Sequence, residues 1–110
     1  MTNPMRGEAT IELAGEQYPC RLNVDALIKI ETELDSGILA VTQKISNADV
    51  RLLDLSVILY HALRGGGSDL TQKDIKNLIQ NTGIVKCTTE VATLLVGVLT
   101  DPQAEDSEKK

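Results

Sequence analysis

The stretch Glu8-Ala9-Thr10-Ile11-Glu12-Leu13-Ala14-Gly15-Glu16-Gln17-Tyr18-Pro19-Cys20-Arg21-Leu22 decides the fold class. Ala9, Ile11 and Leu13 alternate with Glu8, Thr10 and Glu12, the period of a half-buried strand. After a turn near Gly15, Tyr18, Cys20 and Leu22 alternate with Pro19 and Arg21. The residues that follow have helical spacing instead. The chain therefore reads as α+β: an N-terminal β-hairpin packed on four to five α-helices. Pairing Leu13 with Tyr18, Ile11 with Cys20 and Ala9 with Leu22 puts every apolar residue on one face. A four-residue loop, 14–17, is expected, because a two-residue loop is read as placing Pro19 where the partner strand needs an N–H donor.

Outward from the hairpin, Asn23 is the expected N-cap of a helix over residues 24–35. Its apolar arc is Val24, Leu27, Ile28, Ile30 and Leu34, and Gly37 is expected to end it. A short helix over 38–45 follows, then a break at Ser46-Asn47-Ala48-Asp49. The third helix starts at residue 52 or 54 and runs to 64, with Leu52, Leu55, Ile58, Leu59 and Ala62 on one face. Gly65-Gly66-Gly67 ends it and reads as a C-cap or flexible linker. No Gly-Lys-Ser/Thr follows, so the triplet is not a phosphate loop. Thr71-Gln72-Lys73-Asp74 resembles a capping box and opens a helix through residue 81. The last helix, 84–99, carries a narrow polar strip of Lys86, Thr89, Glu90, Thr93 and Gly97. Its apolar arc spans about 200°, twice the ~100° a surface helix needs. Residues 1–100 form one expected domain. Residues 101–110 turn polar and charged after Pro102 and read as a disordered tail.

The composition limits what the domain can do. With 110 residues it can bury one modest core. That core must be aliphatic, since Tyr18 and Tyr60 are the only aromatic residues. The net charge of −5, with eleven scattered Lys and Arg, argues against nucleic-acid binding. No apolar run reaches the ~20 residues of a membrane span, and the start is not that of a signal peptide, so a cytoplasmic protein is expected. Cys20 and Cys87 read as buried thiols. Two cysteines and one histidine supply no metal-ligand spacing, so neither a metal nor a cofactor is expected. His61 lacks a sequence neighbour suited to nucleophilic catalysis and reads as a boundary residue. No catalytic residue is assigned.

Two features remain. Glu31 falls inside the apolar arc of the first helix. A buried carboxylate must be paired or hydrogen-bonded, and Arg6, Arg21 and Arg51 are the candidate partners in a clamp from hairpin to helix. The broad arc of the last helix leaves Val85, Ala92 and Val96 as candidates for contact with a partner, as do Val57 and Tyr60 on the third helix.

Several motifs occur together and in order. They are Asn3-Pro4-Met5-Arg6-Gly7-Glu8, Leu13-Ala14-Gly15, Leu27-Ile28-Lys29-Ile30-Glu31 with Gly37, and Asp54-Leu55 leading to Leu63-Arg64-Gly65-Gly66. Over residues 3–99 the chain resembles the gene transfer agent family of small tail proteins, of the phage tail assembly chaperone type. It departs in being less rich in alanine. The resemblance implies a non-enzymatic role in tail building. Such a chaperone coats the helical tape measure protein and keeps it soluble until tail tube protein subunits displace it. Tape measure protein and tail tube protein are thus the implied partners, with self-association a further option. The family is also described as a tail tube component, which implies the alternative of a structural protein retained in the virion. A third alternative is a small carrier or interaction domain. Asp35-Ser36-Gly37-Ile38 superficially resembles a carrier motif, and the surrounding pattern does not.

Overall fold

The structure, a computed structural model, describes residues 8–100. A two-stranded antiparallel hairpin, β1 (Glu8–Leu13) and β2 (Glu16–Arg21), precedes five helices. These are α1 (Val24–Leu34), α2 (Ile38–Ser46), α3 (Leu52–Gly65), α4 (Gln72–Thr82) and α5 (Ile84–Thr100). The α+β architecture expected from the periodicities is the one observed. The tail expected beyond residue 100 lies outside the described residues.

The hairpin register differs from expectation. Leu13 faces Glu16, Ile11 faces Tyr18 and Ala9 faces Cys20, so the loop is Ala14-Gly15 alone. Both loop residues have positive φ, 53° and 82°, as a type I′ turn requires. The shift is by two residues, so each side chain keeps its expected face. Pro19 does not forbid the short loop. In a two-residue hairpin the pair next to the turn is hydrogen-bonded and every second pair is not. Thr10–Pro19 is one of the pairs without ladder bonds, and the missing N–H costs nothing there.

Both edges of the hairpin are covered. β1 packs on α5 and β2 on α3. Glu12 belongs to a non-bonded pair, so its N–H points away from β2. It donates to Glu90 Oε1 on α5 at 2.9 Å. Lys86 lies 3.7 Å from Glu12 and 3.8 Å from Glu90. Part of α5's polar strip is therefore a clasp on β1. On the other edge, a Cβ on Gly65 would sit 2.2 Å from the Arg21 carbonyl oxygen, and one on Gly66 would sit 2.1 Å from that of Pro19. Gly66 is the C-cap of α3, one of the two roles expected of the triplet, and the bare Gly65 and Gly66 also let the end of α3 press on the β2 backbone.

One hydrophobic cluster runs from Ile11 to Val98. Leu13, Leu22, Ile30, Leu55, Ile58, Leu63 and Leu95 are fully buried, each contributing roughly 1.5–3 kcal/mol relative to exposure. Helix ends are set locally. Asn23 Oδ1 accepts from the Ala26 amide at 2.8 Å, as expected of the α1 N-cap. α1 ends on Asp35, which has φ 53°, and not on Gly37, which is the N-cap of α2. At α4 the expected capping box forms, with Asp74 N–H to Thr71 Oγ1 at 3.1 Å and Thr71 N–H to Asp74 Oδ2 at 3.0 Å.

Candidate interaction surface

The first residues of α3 expose a pair of leucines. Leu52 and Leu53 are 56% and 53% exposed. The sequence reading placed Leu52 on the inner face with Leu55. Consecutive helix positions point about 100° apart, and the core side of α3 is already filled by Leu55, Ile58, Leu59 and Ala62. Opposite the leucines lie Lys76, Ile79 and Gln80 of α4, with Ile84 of α5 closing the end. Together with Ser56 they line a largely apolar hollow of about 500 Å³. A second hollow of about 280 Å³ shares Leu53, Ser56 and Lys76 and extends to Val57, Tyr60, Gln72, Ile75 and Glu33.

The two hollows form one groove. Residues 52 and 53 of α3 face 79 and 80 of α4, and residues 57 and 60 share a hollow with 72 and 75. The walls therefore run antiparallel. The eight helical steps from residue 52 to 60 and from 72 to 80 give each wall a length of about 12 Å. One end is almost wholly apolar and the other mixed, and Lys76 lies on the wall common to both.

The five residues expected to meet a partner are dispersed. Val57 is buried where it lines the second hollow, and Ala92 is half-buried against the core. Tyr60 is half-buried at the mixed end of the groove, with the Arg64 guanidinium 5.3 Å from its ring centre. Val85 is 81% exposed beside Ile84, and Val96 is exposed eleven residues further on, about 16 Å along the helix. The sequence reading missed Leu53, Ile79 and Ile84 as groove residues. The adjacent leucines were the available signal, because two neighbours cannot both face one core. On α1, Val24 and Ile28 were placed in the inner arc and are exposed. Only Ile30 and Leu34 of that arc are fully buried.

Glu31 joins α1 to α2: its Oε2 accepts from the Ile38 amide at 2.8 Å, the first N–H of α2. Of its expected partners, Arg51 is engaged with Asp54 at 2.7 Å, Arg21 is exposed on β2, and Arg6 lies outside the described residues. Asp54 also accepts from the Arg51 backbone amide at 2.9 Å. Burial pushes the Asp54 carboxyl's pKa up. The Arg51 hydrogen bonds and charge, with Lys44 helping, outweigh that and hold it below the usual carboxylate range.

Reactive groups are few. His61 Nε2 lies 2.7 Å from Glu33 Oε2, tying α3 to α1. The imidazole is 13% exposed, intermediate in burial, as expected of a boundary residue. Among the described residues no hydroxyl or thiol hydrogen-bonds to it, and no group of three or more His, Cys, Asp and Glu could hold a metal. Burial, with Glu90 nearby, pushes the Cys20 thiol up to about 12. Burial also raises Cys87. Neutral buried thiols of this kind are poor nucleophiles. Ser36 is half-buried in the α1–α2 turn, its amide donating to the Glu31 carbonyl at 3.2 Å. No single helix among the described residues is long and apolar enough to cross a membrane.

A family model described as "Phage tail tube protein, GTA-gp10" matches residues 6–101. Comparison with curated proteins and with solved structures gives no match.

Proposed function

The chain belongs to the phage tail tube protein, GTA-gp10, family, and we propose that it serves there as an assembly chaperone that binds a helical segment of the tape measure protein. The groove between α3 and α4 carries this reading. Three large aliphatic side chains, Leu52, Leu53 and Ile84, stay about half exposed around one elongated hollow. Antiparallel helical walls of this length accept about two turns of an amphipathic helix. The shielding would be reversible, since the patch is small and a competing tube subunit could displace it. No covalent chemistry is required of the chain.

Co-expression tests the proposal. The tape measure protein should move from the pellet to the soluble fraction when this chain is present. Leu53→Asp, at an exposed position, should abolish the effect while leaving the fold intact by circular dichroism. A tape measure protein equally soluble with Leu53→Asp would refute the groove as its binding site.

The family description favours a second reading, a structural component that remains in the tail. Mass spectrometry of purified particles separates the two. Stoichiometric recovery supports the structural role, and absence from finished particles supports the chaperone.

A further inference from the structure

The groove contains one charge that nothing in the fold uses. Lys76 lines both hollows and is exposed, with no ion-pair partner among the described residues. The only other charged lining residue, Glu33, is taken by His61 at 2.7 Å. An unpaired ammonium on the wall common to both hollows discriminates between greasy helices by the charge they carry.

We propose that the groove selects an acidic amphipathic helix. Apolar side chains at i and i+3 or i+4 sit among Leu52, Leu53, Ile79 and Ile84. A carboxylate one turn further along meets Lys76, which lies three residues before Ile79 on the α4 wall. The inference rests on the reading of this groove as the partner site, and adds the chemistry of what enters it. A helix with lysine at that position places like charges together and is rejected. The other available occupant is a second copy of this chain, through the exposed Val24 and Ile28 of α1. That ridge carries Lys29 as well as Asp25, so it would bring a like charge to Lys76 along with the carboxylate. A different, acidic chain fits better.

Two labelled synthetic helices of about 18 residues, with the same leucine face and either glutamate or lysine flanks, provide the test by fluorescence anisotropy against the full chain. The acidic helix should bind about fivefold more tightly at low salt, and the difference should shrink as salt rises. Lys76→Gln should cancel the preference and Lys76→Glu should reverse it. Both substitutions are at an exposed site, and circular dichroism checks the fold. Equal affinity for the two helices, or a preference that survives Lys76→Glu, overturns the charge assignment while the groove still stands as a binding site. Binding of neither helix overturns both. If the protein alone sediments as a dimer that Leu53→Asp converts to monomer, the occupant is a second copy and the inference fails.

Discussion

The hairpin and the α3–α4 groove treat their surroundings in opposite ways. The hairpin is the lone pair of strands among the described residues, yet helices close both of its edges: Glu90 takes the outward amide of Glu12, and Gly65 and Gly66 lie against the outer carbonyls of β2. The groove is walled by two regular helices and leaves Leu52, Leu53 and Ile84 half exposed. The difference follows from what each region would leave uncovered. A strand edge presents N–H and C=O groups that will pair with any strand they meet. A helix satisfies its own backbone internally, so an exposed helical groove risks only modest apolar area. Covering strand edges and opening a helical face confines recognition to side chains.

Gly66→Ala should do the greatest damage to that contrast. Its Cβ would fall 2.1 Å from the Pro19 carbonyl oxygen, and backbone cannot move aside as a side chain can. A loss of about 3 kcal/mol, or on the order of 15 °C in Tm, is expected by thermal unfolding. Glu90→Ala should cost about 1.5 kcal/mol, the scale of a charge-assisted hydrogen bond. Its more telling effect is local: hydrogen exchange at the Glu12 amide should quicken more than at Ile11, whose N–H faces β2.

Acid should act on a smaller scale and elsewhere. Asp54's pKa is lowered in the folded chain, so its contribution is complete above the unfolded value of about 3.9 and fades as pH falls through the folded value. A Tm-against-pH curve should bend downward below about pH 4, and Asp54→Asn should flatten that bend. The smallest expected effect is on the open side. Leu52→Ser with Leu53→Ser should change stability by less than about 0.5 kcal/mol while removing helix binding. A large loss of stability from this pair would mean that the groove belongs to the core.

Much of the fold was legible because periodicity reports burial directly. The alternation around Ile11 and Cys20 and the caps at Asn23 and Thr71 are local signals and were realised locally. The loop length was not legible from Pro19 alone, because a proline is excluded only from the pairs of a two-residue hairpin that carry ladder bonds, and Thr10–Pro19 is not one of them. That Gly65-Gly66 ends α3 was legible, but its close approach to β2 was not, because a glycine needed for freedom and a glycine needed for space look identical in sequence. The candidate site was only partly legible. Val57 and Tyr60 line it and Val85 lies beside it, whereas Ala92 is half-buried against the core. Leu53, Ile79 and Ile84 were not singled out. Glu31 was recognised as a carboxylate that needs a partner, but the donor it found is the Ile38 amide, which becomes its neighbour only through the turn at Asp35.

The order and type of the elements, the aliphatic core and the need to satisfy Glu31 were determined by the sequence alone. They depend on residue type and on spacing within one turn or one strand. Which apolar residues stay outside was decided by the tertiary structure. α3 and α5 each carry more apolar surface than one neighbour can cover. Only the packing of the hairpin against one side of them leaves Leu52, Leu53 and Ile84 around Lys76, with no covering element of the described fold.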